Sequence, residues 1–453
     1  MVAYALRGGC VTDRWAHQPR TVAATRAAYR AGARRILIVL PTGGGKTRLG
    51  RHYVSAYAGR GQRVLWVAHR EELVAQAAAT LAGVAGAVGV LQADRDPGDA
   101  PVVVASVQTL AARGVGRLPA ADLVILDEAH HYVAAQWGAV ARAYSDALTL
   151  GLTATPARAD GTALGDLFDR LVVGATVREL QRAGVLCPVE VIAPPKPTDG
   201  LAMTPAEAIA RYAEGQPAVL FCASVAEARE LAAALPRAAY VDGGQHPRER
   251  AAALARFEAG EVDVLTNVYV LTEGWDSPRL NAGPCCIVLA RGCGAWSTYR
   301  QIVGRGLRVA EGARKVCTLV DLRGAVHVHG LPDEDVDLSL DGEPVRRRVA
   351  SASLAQCPAC WWIGPGPALA CPSCGKAIPA KRERQRLTPE QLERVREVAT
   401  RDDKQTHFNQ LCEQAQANGY KLGWVAYRFK ARWGHWPDRY RDTRSVGALP
   451  EVA

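Results

Sequence analysis

Ile36-Leu-Ile-Val-Leu40 runs straight into Pro41-Thr-Gly-Gly-Gly-Lys-Thr47, and Leu123-Val-Ile-Leu126 runs into Asp127-Glu-Ala-His130. Each is a short apolar strand pattern followed by a chemically loaded loop. Gly43, Gly44 and Gly45 let backbone N–H groups turn inward around phosphates, Lys46 offers a cation to the terminal phosphates, and Thr47 puts a hydroxyl on a divalent metal. A helix beginning near Lys46 would add its positive end. Asp127 is then expected to hold Mg²⁺, and Glu128 to orient or deprotonate an attacking water. The usual phosphate-loop pattern has glycine where this chain has Leu40. A chance glycine turn and a solvated acidic pair would not both fall at strand ends, so the two stretches together predict a nucleotide-hydrolysing core.

Length and charge bound the rest. A chain of 453 residues with 49% hydrophobic content suits about three domains with buried cores. A formal net charge of +10 favours a polyanionic partner over an acidic small substrate. The N-terminal residues show no basic region leading into a long apolar stretch, and no run approaches the ~18 residues of a membrane span. The expectation is a soluble, cytoplasmic protein with no membrane partner. Cysteines 10, 187, 222, 285, 286, 293, 317 and 412 are scattered, as reduced buried thiols would be.

Up to about residue 190 short β-branched runs alternate with helical stretches, which predicts a parallel sheet with crossover helices. Ala193-Pro-Pro-Lys-Pro-Thr-Asp-Gly200 reads as a break, part of a hinge or linker. A second alternating series follows from Ala218 to Val320. The fold class is therefore α/β: one lobe over 1–190, a second over 191–330 and a linker over 331–354. A cysteine-bearing ribbon over 355–378 and a basic helical module over 379–453 complete the chain. Val326-His-Val-His329 alternates as strand residues do, and neither histidine receives a ligand role.

The ordered motifs over residues 14–308 resemble those of superfamily 2 helicases of the DEAD/DEAH type. Gln18 lies where that family has the glutamine that reads adenine. Pro41–Thr47 resembles motif I, Val67-Ala-His-Arg-Glu-Glu-Leu73 motif Ia, and Ala105-Ser-Val-Gln-Thr-Leu110 motif Ib. Asp127–His130 resembles motif II, and Gly151-Leu-Thr-Ala-Thr-Pro156 motif III. Val270-Leu-Thr-Glu-Gly-Trp-Asp-Ser-Pro278 resembles motif V, and Gln301-Ile-Val-Gly-Arg-Gly-Leu-Arg308 motif VI. The style of the last two is closest to the branch holding type III restriction motors, excision-repair helicases and phage recombination helicases.

The resemblance implies two RecA-like lobes with ATP between them and a nucleic-acid strand lying across both. It implies that Thr42 to Thr47, Asp127, Gly274 and Asp276 surround ATP and Mg²⁺, and that Lys46, Asp127, Glu128, Arg305 and Arg308 are catalytic, with Arg308 as the finger to the γ-phosphate. A guanidinium brought across a cleft adds transition-state charge only when the lobes close. His130, Thr153, Thr155 and Gln301 would couple the cleft to the strand. Arg70, Gln108, Thr109 and Thr272 would grip a phosphate backbone, where polar side chains position without reading bases.

Cys357-Pro-Ala-Cys360 and Cys371-Pro-Ser-Cys374 can present four thiolates tetrahedrally to a structural Zn²⁺. A redox Cys-Pro-x-Cys expects one pair at a helix start; the doubled pair argues for metal. Residues 381–444 carry fifteen Lys or Arg against nine Asp or Glu, an excess that lies outside the motor. Trp424, Tyr427 and Trp433 read as the core of a small helical module, and its cations as accessory phosphate contacts.

The resulting expectation is an ATP-driven DNA helicase or translocase, bacterial or phage-encoded and nucleoid-associated, working in DNA repair or recombination on single-stranded or branched DNA. An RNA helicase, a nucleotide-gated DNA-binding scaffold and the motor subunit of a restriction system are the alternatives. No carboxylate-lysine nuclease constellation accompanies the motor motifs.

Overall fold

Continuous runs of Val, Ile and Leu have no polar face to offer water, so they form strands covered on both sides. In the computed structural model, which describes residues 14–84, 86–93, 95–132, 135–157, 163–198, 200–342, 355–364, 368–378, 401–418, 422–433 and 437, these runs build two sheets. The first contains β1 (Arg35–Val39), β2 (Val64–Ala68), β3 (Val88–Leu91), β4 (Val102–Ser106), β5 (Leu123–Asp127), β6 (Leu148–Thr153) and β7 (Arg170–Val173). All its pairings are parallel, in the order β3-β4-β2-β5-β6-β1-β7. β6 lies between β1 and β5, with Val39 beside Thr153 and Asp127 beside Leu152. The phosphate loop, the acidic pair and Thr153 therefore leave neighbouring strands at the same end, where α/β sheets bind ligands.

The second sheet contains β8 (Val189–Ile192), β9 (Ala218–Phe221), β10 (Ala238–Val241), β11 (Val264–Asn267), β12 (Cys285–Leu289), β13 (Cys317–Asp321), β14 (Ala355–Gln356) and β15 (Trp362–Gly364). Its order is β10-β11-β9-β12-β13-β8-β15-β14, parallel up to β8 and antiparallel beyond. Two RecA-like parallel lobes thus stand in tandem.

Four expectations about the organisation of the two lobes need correction. β8 pairs with β13 in the second sheet, so the boundary expected at 190 falls inside a strand. The proline-rich stretch is no hinge between lobes. The Pro194 carbonyl accepts from His327 Nε2 at 2.7 Å, and Thr198 N donates to Arg323 O at 3.1 Å, both within lobe two. Ala325–His329 is a one-turn helix rather than a strand, framed by Gly324 (φ +77°) and Gly330 (φ +82°); both glycines hold left-handed turns that a side chain resists. The segment from Leu331 to Gly342 is more than a linker: Leu340 O accepts from Leu164 N at 2.9 Å and Gly165 N at 3.0 Å. Leu338 and Leu340 pack against the lobe-one core around Phe168, returning the chain from lobe two to lobe one.

The cysteine ribbon is built onto lobe two. β15 pairs with β8, Trp362 opposite Ile192, and Cys357, Trp362 and Cys371 share an apolar cluster with Leu220 and Val288. Cysteines 187, 222, 285, 286, 293, 317 and 412 are buried free thiols; Cys10 lies outside the described residues.

Residues 381–453 make a separate compact unit. Its helices Arg401–Asn418 and Leu422–Trp433 close on Phe408, Leu411, Cys412, Ala415, Val425 and Phe429, with Trp424 at the edge. Tyr427 is 70% exposed and is not in that core as expected: the helical repeat puts Val425 and Phe429 inward, and Tyr427 two positions from each falls on the other side. The Trp433 side chain lies outside the described residues. Among the described residues no helix is long and apolar enough to cross a membrane.

Candidate active site

The phosphate loop is shaped by its glycines. Gly43 and Gly45 hold φ of +83° and +86°, a region that costs any L side chain strain. A Cβ at Gly43 would also meet Arg308 Cγ at 2.8 Å, and one at Gly45 would meet Trp15 Cζ3 at 2.7 Å. Gly44 N donates to Pro41 O at 2.8 Å and tightens the turn. Leu40 extends β1 and is fully buried, and Gly174 yields to it, since a Cβ there would stand 2.6 Å from Leu40 Cδ2. The position that usually needs glycine is here a core position. The helix Lys46–Ala58 begins with no side-chain cap, so its first N–H groups remain available to an anion.

A cleft of roughly 340 Å³ opens between the lobes, within the size range of small-molecule sites, about 300–1,000 Å³. Lobe one lines it with Thr42, Gly43, Gly45, Lys46, Thr47, Asp127 and Glu128; lobe two contributes Gly274, Asp276, Arg305 and Arg308. Lys46 Nζ stands 3.1 Å from Glu128 Oε1. Glu128 holds φ +48°, a left-handed conformation rare outside glycine and asparagine, and one that aims the carboxylate back over the loop. Burial and the adjacent Glu128 push Asp127 up to about 7. Burial acts on Glu128 in the same direction, but the Lys46 ammonium and His130 outweigh it and hold the carboxyl below its usual range.

The two arginines are set differently. Arg305 is buried, with Nε donating to Thr272 O at 2.8 Å and NH1 to Trp275 O. Burial and the neighbouring Arg308 charge lower it to about 9. Arg308 instead pairs with Asp276 at 2.5 Å and lies across Gly43, on the rim of the cleft. Burial opposes the ionisation of Asp276, yet Arg308 and Asn281 keep it below the ordinary carboxylate range.

Gln18 does not face the cleft as expected of an adenine reader. Its Nε2 donates to Gly45 O at 3.1 Å and Gly44 O at 3.3 Å, which spends the amide on the outside of the loop. Trp15 and Arg14, just before it, line the cleft instead. Arg14 reaches the second lobe, donating to Val309 O at 2.6 Å.

The coupling residues come together. His130 Nδ1 is 3.0 Å from Thr153 Oγ1, which donates to Thr155 O at 2.7 Å. His130 Nε2 is 3.2 Å from Gln301 Nε2 of lobe two. The residues expected on the strand all follow the C-terminal ends of strands. Arg70 is partly exposed, Gln108 is tied to His69 O at 2.7 Å, and Thr109 accepts from Ala93 N at 3.0 Å. Thr272 is buried, its carbonyl taken by Arg305 Nε and its hydroxyl without a hydrogen-bond partner among the described residues.

Cys357 Sγ stands 3.5 Å from Cys374 Sγ, Cys360 Sγ 3.6 Å from Cys371 Sγ, and all four lie within 4.8 Å of one another. Tetrahedral Zn–S bonds of about 2.3 Å place sulfurs nearly 4 Å apart, so the set fits such an ion.

A sequence profile described as "Type III restriction enzyme, res subunit" matches residues 14–158, and one described as "Helicase conserved C-terminal domain" matches residues 203–310. The chain belongs to superfamily 2 of the helicases, related to the type III restriction motors. A "51.5 kDa protein" of a Lactococcus phage is 27% identical over 387 residues, covering 78% of this chain and 81% of that one. IRC3 of Saccharomyces cerevisiae, whose name proposes an ATP-dependent helicase, is 29% identical over 352 residues, covering 66% of this chain and 50% of that protein. The chain thus spans about half the length of that relative. A fragment assigned to the HsdR subunit of a type I restriction enzyme from Vibrio vulnificus superposes with a TM-score of 0.56 at 22% identity, covering 73% of this chain and 69% of its own. Saccharomyces cerevisiae Dbp5 bound to RNA and ADP BeF3 gives 0.50 at 14% identity, covering 72% and 93%. Both show the shared fold.

Within this helicase-family framework one buried carboxylate received no role in the motif reading. Glu273, between Thr272 and Gly274, is buried and meets His130 Nε2 at 3.3 Å and His131 Nε2 at 3.0 Å. Burial alone would raise it, but His130, His131 and His69 hold it far below the carboxylate range. Its sequence signal was a second carboxylate in the loop that already carries Asp276.

Proposed function

We propose that the protein is an ATP-dependent DNA helicase or translocase, hydrolysing ATP between its lobes and moving along a strand laid across the C-terminal ends of both sheets. The contact that carries this reading is Thr153–His130–Gln301, because it joins the acidic loop of one lobe to the helix that bears Arg305 and ends beside Arg308 on the other. Hydrolysis and lobe position would then be one event.

The residues suggest the order of steps. Phosphate draws Lys46 away from Glu128, which frees that carboxylate to take a proton from the attacking water. Lobe closure carries Arg308 from Asp276 to the γ-phosphate, while Arg305 keeps the Val270–Pro278 loop in place. Water adds to the γ-phosphorus, the bond to ADP breaks, and Glu128 retains the proton. Thr47 and Asp127 would hold Mg²⁺, which neutralises charge on the β- and γ-oxygens. Arg14 and Trp15 would contact the base, Arg70, Gln108 and Thr109 would grip the strand, and the four cysteines would hold a structural Zn²⁺.

DNA is preferred over RNA on the style of motifs V and VI; the basic 381–444 stretch suits the phosphates of either. The test is steady-state ATP hydrolysis by the purified chain alone, with single-stranded DNA, and with RNA of the same sequence. Stimulation mainly by DNA is expected. Stimulation mainly by RNA would replace the substrate, and no hydrolysis under any condition would leave a nucleotide-gated scaffold.

A further inference from the structure

Three imidazoles converge on one carboxylate where the lobes meet. His69 follows β2, His130 and His131 follow β5, and Glu273 lies in the loop after β11. Glu273 Oε2 stands 3.0 Å from His131 Nε2 and 3.4 Å from His69 Nε2. One donor atom from each of the three lies within 4.8 Å of the others. Neighbouring ligand atoms in a four-coordinate site with bonds of about 2.0–2.1 Å stand about 3.3 Å apart. The two histidine-to-carboxylate separations already bracket that edge.

The donor chemistry is selective. Magnesium and calcium take oxygen ligands, whereas imidazole with a carboxylate suits zinc, cobalt and nickel. His69 and Glu273 are buried, which fixes two ligands, and His131 keeps 32% of its side-chain surface exposed, which gives an ion a way in. His130, 3.3 Å from Glu273 Oε1, holds the carboxylate from its other side. The cation in competition is Arg70, 3.8 Å from Oε2 and 40% exposed; its long side chain can swing into water.

We propose that His69, His131 and Glu273 form a divalent transition-metal site, of the Zn²⁺, Co²⁺ or Ni²⁺ class, separate from the phosphate cleft and the cysteine ribbon. Two ligands come from lobe one and one from lobe two, so an ion there clips the lobes together and slows any turnover that needs them to part. That consequence rests on the ATPase reading; binding does not.

The test is titration of the full chain, its cysteine site filled with Zn²⁺ and no nucleotide added, with Co²⁺ followed by visible absorption. One equivalent is expected with nitrogen–oxygen d–d bands and no thiolate charge transfer. His131→Ala and Glu273→Gln should each weaken binding at least about tenfold, the scale of even outer-shell losses. Equal binding in wild type and both variants would overturn the site. If a variant fails to fold by circular dichroism, the wild-type spectrum decides alone, and absence of those bands below millimolar Co²⁺ overturns the proposal. A chain that never hydrolyses ATP but shows the bands keeps the site and loses only the ATPase reading.

Discussion

The Lys46 ammonium lies 3.1 Å from Glu128 Oε1, so the group that meets phosphate and the group that activates water restrain each other across the mouth of the cleft. Glu128→Gln keeps the shape and removes the base. Turnover should fall by about 10²–10⁴-fold, the usual weight of a general base, while binding of a fluorescent ATP analogue stays within a few-fold of wild type. Loss of binding in step with turnover would assign Glu128 to holding nucleotide instead.

Asp127 gives this cleft a pH dependence. Burial and Glu128 raise it to about 7, so below that pH the carboxyl is protonated and a divalent ion must displace the proton. The sign is fixed: kcat/KM for ATP should be half-maximal near pH 7, level about one unit above it, and fall on the acid side by about tenfold per unit once the proton is in place. A profile flat through that region would mean that Asp127 is ionised throughout.

Gly304 and Gly306 share one helix and do different work. A Cβ at Gly304 would stand 2.5 Å from Thr42 Cβ of the phosphate loop, and one at Gly306 would stand 2.4 Å from Cys317 Sγ in the lobe-two core. Gly304→Ala should prop the lobes apart and cost about 10²-fold in turnover, the effect of roughly 1 Å of misplacement, with little change in melting temperature. Gly306→Ala should instead destabilise by about 1–3 kcal/mol through overpacking. Kinetics and thermal melts on the pair separate the two, and matching behaviour would remove the distinction.

The parts of this fold legible in the sequence were those that repeat locally. Apolar runs such as Leu123–Leu126 specify covered strands, and Gly43 and Gly45 announce a left-handed turn. What escaped depended on distant partners. Glu273 acquires meaning only because His69 and His130 approach it from the other lobe, and β8 joins the second sheet because β13 and β15 flank it. Val326–His329 has the alternation of a strand, but the five residues Ala325–His329 between turn-forming glycines close into a helical turn. Gln18 sits where the family pattern puts it, and hydrogen bonds to the loop's carbonyls turn its amide from the cleft.

The ribbon should matter to lobe two beyond its own few residues. β15 covers the free edge of β8, and Cys357 and Cys371 are packed into the lobe core. Metal analysis should find that losing the Cys357, Cys360, Cys371 and Cys374 site, as in Cys371→Ser, removes about one zinc per chain. Chelation or Cys371→Ser should lower the melting temperature and speed amide exchange at Val191 and Ile192. Unchanged exchange on metal loss would make the ribbon an appendage.

Arg305 and Arg308 are three residues apart and should fail in different ways. Arg305 is buried on the carbonyls of Thr272 and Trp275, so Arg305→Ala takes the donor from Thr272 O and leaves Trp275 O with the 3.5 Å contact from Arg308, a loss of about 1–3 kcal/mol for a buried group left unpaired. The Val270–Pro278 loop should loosen, and stability and turnover should fall together. Among the described residues the Arg308 guanidinium holds Asp276 and, at 3.5 Å, Trp275 O, from the rim of the cleft. Arg308→Ala should leave the melt near wild type and remove about 10³-fold or more of turnover, as loss of an arginine finger does. Arg308→Lys should restore little, since a point charge does not reproduce the planar fork. If Arg305→Ala proved stable but inactive, and Arg308→Ala active, the finger would be Arg305.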